Sequence, residues 1–313
     1  MVSVCCEHAL EGGRAMAETI AFIGLGNMGC PMAANLVKGG YRVTGFDLSP
    51  TACADAREKG IKTATSAPEA VSDADVVITM LPAGRHVLAV WREIVPAMKD
   101  GALLIDSSTL DVGSARQAHE MAAAANRGLA SLDAPVSGGV GGATAGTLTF
   151  MCGGTGEAFA RARPVLEKMG AKIVHCGDAG AGQAAKICNN MILGISMIGV
   201  AEAFVLAEKL GLSHQALFDV ASTSSGQCWS LTSYCPVPGP VPSSPANNGY
   251  KPGFAAALML KDLRLAQEAA NATGATTPLG AEAAQLYSLF AAAGHASEDF
   301  SGIINFLRGG GKD

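Results

Sequence analysis

Lys186 opens a long apolar helical stretch, and no other basic residue follows it until Lys209. An amine so placed must be covered by a partner, reach water along its stem, or sit in a cleft where its proton is used. Asn190 stands four residues on, one helical turn away and on the same face. An ammonium and an amide turned to one space suit proton exchange with an oxygen. Taken alone, the pair reads more simply as a snorkelling lysine beside a surface amide, so the elements around it decide.

The chain has 313 residues, 49% hydrophobic and 16% charged, enough for two well-buried domains. A net charge of −5 without a basic stripe argues against nucleic acid as a partner, because that binding needs clustered Lys and Arg. Nine cysteines show neither a Cys-x-x-Cys pair nor zinc-finger spacing, which suits a reduced cytoplasmic setting and no metal. Cys188, inside the Lys186 helix, reads as a small buried hydrophobe rather than a nucleophile. The stretch Ile187 to Ala201 is interrupted by Asn189 and Asn190 and closed by Glu202, so it reads as a core helix and not a membrane span. Residues 1–15 lack the apolar core of a secretory signal and read as a mobile extension.

Thr19 to Ile23 is a β-branched, apolar run leading into Gly24-Leu25-Gly26-Asn27-Met28-Gly29 and then a helical sequence. Gly24 permits the tight strand-to-helix turn, Gly26 the close approach of a pyrophosphate, and Gly29 close helix packing, while the helix start offers free N–H groups. The next strand ends at Asp47, eighteen residues beyond Gly29, where a carboxylate can accept from ribose hydroxyls and repel a 2′-phosphate. NAD is therefore favoured over NADP. A turn or helix cap ahead of Ser49-Pro50 is the simpler role for Asp47. Further strands are expected at Val76 to Leu81, Leu103 to Ile105 and Leu129 to Asp133, separated by helical sequence. The alternation predicts an α/β Rossmann-type doubly wound parallel sheet. Ligands bind at the carboxyl ends of such strands, which places Leu81, Pro82 and Thr109 along the nicotinamide half. Pro82 could equally end a strand and Thr109 cap a helix. A second glycine-rich segment, Asp133 to Gly142, suits anion binding through the Ser137 hydroxyl and the N–H groups at Gly138 and Gly139, or is a flexible turn.

After about residue 179 strand signals fade. The sequence predicts residues 16–179 as the dinucleotide domain and 180–313 as an all-α domain, joined by a helix from Ala181 to Leu210 that is ~45 Å long at ~1.5 Å per residue. More helices are expected at His214 to Ala221, Ala255 to Asn271, Leu279 to Ala293 and Glu298 to Leu307, with breaks at Gly211, Gly274 and Gly294. Ser225 to Pro252 is a proline-rich irregular stretch holding Trp229 and Tyr234, long enough to be functional. Lys261-Asp262 is a charged pair on an apolar helix, most simply a surface pair.

FIGLGNMGCPMAANL from Phe22, DAPVSGGVGGATAGTLTFMCGG from Asp133, GQAAKICNNMILGISMIGVAEA from Gly182 and KDLRLAQ from Lys261 together resemble the β-hydroxyacid dehydrogenases. The resemblance runs from Thr19 to Leu307, and SSGQCWSLTSYCPVPG from Ser224 is similar to the 3-hydroxyisobutyrate branch. It implies that Lys186 is the catalytic lysine and Asn190 its companion. Ser137, Gly138, Gly139 and Trp229 would bind substrate, and Lys261 would lie near cofactor and substrate. It implies NAD-dependent oxidation of (S)-3-hydroxyisobutyrate to methylmalonate semialdehyde by a homodimer or homotetramer. Serine or a 3-hydroxypropionate analogue as substrate, semialdehyde reduction, and a non-catalytic NAD-binding module are the alternatives. Proton acceptance at neutral pH requires the Lys186 amine to be held below its ordinary value near ~10.4. His86 stands where many relatives carry a polar cofactor contact and is left out of the site, and Asp262 is left open.

Overall fold

The computed structural model describes residues 18–309; the extension expected at 1–15 lies outside the described residues. The first half runs β1 (Thr19–Ile23), α1 (Gly29–Lys38), β2 (Arg42–Phe46), α2 (Pro50–Glu58), β3 (Lys62–Thr63), α3 (Ala67–Val71), β4 (Val76–Thr79), α4 (Gly84–Ile94), β5 (Leu103–Asp106), α5 (Val112–Ala124) and β6 (Ala130–Asp133). These strands lie in the order β3-β2-β1-β4-β5-β6, all parallel. Both faces of the sheet are covered, so the central strands β1, β4 and β5 are buried almost throughout, whereas β2 and β3 at the edge carry exposed polar residues. In β1, Ile20 and Phe22 pack into one core layer with Leu36 of α1, while Ala21 and Ile23 pack into the other with Trp91 of α4.

The sheet is not parallel to its end. β7 (Val136–Ser137), α6 (Gly139–Ala145), β8 (Leu148–Gly153), α7 (Gly156–Leu166) and β9 (Gly170–Gly177) follow. β8 runs antiparallel to β6 and to β7, and β9 runs parallel to β8. A hairpin-like return of this kind places the Ser137 turn at the rim of the sheet instead of carrying the chain through another crossover. The glycine-rich segment is accordingly neither wholly loop nor wholly flexible, since α6 begins at Gly139.

The second half is helical: α8 (Ala181–Lys209), α9 (His214–Ala221), α10 (Trp229–Thr232), α11 (Ala256–Thr273), α12 (Pro278–Phe290) and α13 (Ile303–Leu307). Gly211, Gly274 and Gly294 all take positive φ where helices end or kink. By length and composition α8 could cross a membrane. Here its inner face, with Met197, Ala201 and Phe204, joins Met259, Leu263, Tyr287 and Ile303 in the core of the helical half. Gly194 brings α8 close to α11, since a Cβ there would stand 3.1 Å from Leu263. The proline-rich stretch is packed down through buried Cys235, Val237 and Val241.

Candidate active site

Gly24 has φ +97°, and a Cβ on it would lie within contact of the Met80 carbonyl; one on Gly29 would collide with the Gly24 carbonyl. These two glycines are required by the fold itself. Gly26 is different, because a Cβ there would meet nothing within 4 Å. Its open surface faces the start of α1, which has no side-chain cap and where the N–H groups of Asn27 and Met28 find no partner among the described residues. An anion is the natural complement to such a helix start. Asp47 accepts the Leu25 N–H at 2.7 Å and the Ser49 N–H at 2.8 Å. It therefore braces the glycine turn and fills the turn-cap role, while each oxygen keeps a lone pair for a ribose hydroxyl. The residues present thus fit a dinucleotide.

The loops after β4 and β5 are tied together by polar bonds. Asp106 accepts from Thr79 Oγ1 at 2.7 Å and Ser108 Oγ at 2.6 Å, and the Ser108 hydroxyl accepts the Leu81 N–H at 2.8 Å. Complete burial pushes the Asp106 carboxyl up to about 6 against the pull of these bonds. Lys261 reaches across from α11 and donates to the Thr109 carbonyl at 2.7 Å and the Pro82 carbonyl at 3.3 Å. Pro82 and Thr109 thus share one ammonium. The His86 ring, at the start of α4, leaves Nδ1 buried without a hydrogen bond among the described residues.

The start of α8 has no local side-chain cap. Asp133, at the end of β6, supplies one from a distance, accepting the Gly180 N–H at 2.8 Å and the Gln183 N–H at 2.9 Å, and His119 Nε2 lies 3.0 Å from the same carboxylate. A carboxylate on free N–H groups at a positive dipole end is favourable. Gln183 then joins the helix to the β5 loop. Its amide donates to the Ser108 carbonyl at 2.7 Å and accepts the Leu110 N–H at 3.1 Å, bracketing Thr109.

One turn beyond, Lys186 is 6% exposed, and its amine makes no hydrogen bond to any described residue. Burial lowers its pKa, the nearby Lys261 lowers it further, and Asp262 opposes both. Asn190 lies on the same face, 1% exposed, and donates to Asp262 Oδ2 at 2.5 Å. Asp262 is 3% exposed, and burial pushes its carboxyl up while Lys186 and Lys261 pull it down. The surface reading of Lys261-Asp262 is corrected: both residues join the Lys186 cluster, because α11 turns that face toward α8.

Ser137 is half-buried at the end of β7, and its hydroxyl has no partner among the described residues. Gly138 takes φ +130° and Gly139 φ +58°, conformations that leave their N–H groups uncovered. No hydrogen bond joins Ser137 to Lys186. A Cβ on Gly139 would stand 2.9 Å from the Gly253 carbonyl, so this turn abuts the segment before α11. Trp229 is 51% exposed and stacks on Tyr234 at 4.9 Å between centroids. Cys188 is exposed and free, not the buried hydrophobe expected.

Gln183, Asp106 and Asp133 organise the site without being marked as site residues by the sequence. A polar residue at the N-terminal turn of an apolar helix was the available signal for Gln183.

A glycine-turn dinucleotide half, joined through one long helix to a helical half, with a buried lysine where they meet, defines an NAD-binding oxidoreductase of the two-domain hydroxyacid type. A family model described as the NAD binding domain of 6-phosphogluconate dehydrogenase matches residues 19–177, and one described as NAD-binding of NADP-dependent 3-hydroxyisobutyrate dehydrogenase matches 180–307. The chain belongs to the 3-hydroxyisobutyrate dehydrogenase family. It is 59% identical to a probable 3-hydroxyisobutyrate dehydrogenase of Mycobacterium bovis over 93% of this chain and 98% of that one. It is also 50% identical to an NAD-dependent L-serine dehydrogenase of Pseudomonas aeruginosa, over 91% and 96%. Among solved structures, the Mycobacterium tuberculosis 3-hydroxyisobutyrate dehydrogenase with L-serine superposes with a TM-score of 0.91 at 58% identity, covering 94% of this chain and 100% of that one.

Proposed function

We propose that this dehydrogenase oxidises (S)-3-hydroxyisobutyrate to methylmalonate semialdehyde with NAD, using residues 16–179 for the cofactor and 180–313 for substrate and oligomerisation. The observation that carries the reading is the buried Lys186 amine, without a hydrogen bond among the described residues and with its pKa lowered by burial. The Ser137 hydroxyl and the Gly138 and Gly139 N–H groups take the substrate carboxylate, and the half-exposed Trp229 ring faces its substituent. The neutral Lys186 amine accepts the alcohol proton; NAD, held on the Gly24 to Gly29 turn and Asp47, would supply the hydride acceptor for the same carbon. Asn190 spends one amide hydrogen on Asp262 and has a second for the substrate oxygen. In the reverse direction the charged amine stabilises the forming alkoxide and returns the proton.

Asp47 supports NAD rather than NADP, although one of the matching family descriptions names NADP. The seven free cysteines among the described residues suit a reducing cytoplasm. Exposed Leu206, Leu210, Leu212 and Val220 supply an apolar surface for a homodimer or homotetramer.

The test is kcat/KM with NAD for 3-hydroxyisobutyrate, L-serine and 3-hydroxypropionate. The first should lead. A leading value for L-serine would favour the second reading, a serine dehydrogenase, which the similarity to the Pseudomonas enzyme supports. No NADH from any of the three would leave a non-catalytic NAD-binding module.

A further inference from the structure

Asp299 is fully buried and carries no part of the chemistry above. Its Oδ1 accepts the Ser301 N–H at 3.0 Å and the Ser301 hydroxyl at 2.7 Å. Its Oδ2 accepts the Tyr234 hydroxyl at 2.8 Å, the Gly253 N–H at 2.9 Å and the Phe254 N–H at 3.1 Å. A carboxylate taken out of water needs this many donors, and all five are neutral. They come from three separated stretches of chain, so one side chain fixes their mutual placement.

Two of those stretches lie against residues given above to the substrate: the Gly253 segment backs the Gly139 turn, and Tyr234 stacks on Trp229. Tyr234 stacks on two rings, Trp229 at 4.9 Å and Phe300 at 5.3 Å between centroids. Its hydroxyl proton is committed to Asp299, so the ring cannot slide or turn without breaking that bond. Gly253 leaves no room for a side chain, because a Cβ there would lie 2.5 Å from the Tyr234 hydroxyl. The carbonyl of Gly253 in turn abuts Gly139. Asp299 therefore holds the Trp229–Tyr234 stack and the segment that backs the glycine turn as one unit.

We propose that Asp299 is a positioning residue for substrate selection: through the Tyr234 hydroxyl and the Gly253 N–H it sets the gap between Trp229 and the Gly138-Gly139 turn, and so the size of substituent the hydroxy acid can carry. This rests on the reading that the Ser137 turn takes the acid's carboxylate. Tyr234→Phe is the gentle variant, removing one hydroxyl and keeping the stacked ring. Asp299→Asn is the stronger one, because its amide nitrogen must face N–H or O–H donors.

The full-length protein, the two variants and their combination are compared for KM and kcat with 3-hydroxyisobutyrate and L-serine at saturating NAD, and for NAD affinity. Acrylamide quenching of tryptophan fluorescence is read in parallel; of the two tryptophans, Trp91 is buried and Trp229 is half-exposed, so the accessible signal is that of Trp229. Tyr234→Phe should raise the KM for acid by a factor between about 2 and 10, because only part of the value of a hydrogen bond to a charged group is passed on to binding through Trp229. It should narrow the preference between the two acids, increase quenching, and leave kcat and NAD affinity within about twofold. The double variant should lose little more than Asp299→Asn alone. Unchanged KM and preference with only a lowered Tm would overturn the proposal. So would a raised KM with unchanged quenching, which would mean that the Tyr234 hydroxyl touches the acid directly. If the unmodified protein oxidises no hydroxy acid, the dehydrogenase reading fails and takes the selection role with it; an active parent with indifferent variants removes Asp299 alone.

Discussion

Asn190 donates its side-chain amide to Asp262 at 2.5 Å, and this bond holds a buried carboxylate close to the Lys186 amine without pairing with it. The carboxylate works against the burial that depresses Lys186. Asp262→Asn removes that opposition, so Lys186 should lose its proton at lower pH than in the parent. Oxidation needs the neutral amine, and its rate rises as pH passes upward through the Lys186 pKa. The rising limb of the kcat profile should therefore move toward lower pH in the variant. A limb that stays in place, or moves up, would show that Asp262 does not act on the amine.

Lys186→Ala should lower kcat by about 10²- to 10⁴-fold, the usual contribution of a positioned acid–base group, while NAD binding measured by fluorescence titration persists. Lys186→Arg should not restore turnover, because a guanidinium does not give up its proton. Substantial activity in the arginine variant would refute proton transfer by Lys186.

Asp47→Ala removes the acceptor at the end of β2 and the brace on Leu25. The kcat/KM for NAD should fall by roughly 10- to 100-fold, corresponding to about 1.5–3 kcal/mol for hydrogen bonds to a charged group, with NADP gaining relative to it. A parent enzyme that already prefers NADP would contradict the role given to Asp47.

Gln183→Leu keeps the volume and leaves the Ser108 carbonyl and Leu110 N–H without their partner. Each buried orphan costs about 1–3 kcal/mol, so the urea midpoint should drop. Because the bracketed Thr109 carbonyl also holds Lys261, kcat should fall too. Wild-type stability in this variant would mean that the bracket is not formed in solution.

Asp106 is held near 6 in the fold, against an ordinary value of 3.8. Between these values the folded state binds more protons than the unfolded state, so this group's contribution to stability falls as pH rises from about 4 to about 6 and is level above. The full loss is about 3 kcal/mol by the usual conversion of a pKa shift. Asp106→Asn has no proton to lose, and its stability relative to the parent should climb across that window in urea titrations. A constant difference from pH 4 to pH 7 would count against the buried carboxyl.

Much of the fold was legible because its signals are local. The turn from Gly24 to Gly29, the apolar strands and the α8 helix each follow from sterics and periodicity within a few residues, and the bounds expected for α9 agree with those observed. Lys186 with Asn190 was legible for the same reason, since both lie on one helix face. What surrounds them was not. Asp262 meets Asn190 from 72 residues away, and Lys261 meets Thr109 from 152; no spacing rule reaches that far. The return of β8 against β6 was hidden because a short apolar run shows no direction.

From the sequence alone came the dinucleotide turn, the change from sheet to helix near residue 179, and a lone amine that required an explanation, all consequences of backbone geometry and the cost of burying charge. Only the tertiary structure decided which groups face that amine. The crossing of α8 and α11 at Gly194, and the remote capping of α8 by Asp133, put the buried carboxylate and the second lysine within electrostatic reach of Lys186. A pKa is set by solvent exclusion and by neighbouring charges in space, and those are properties of packing rather than of order along the chain.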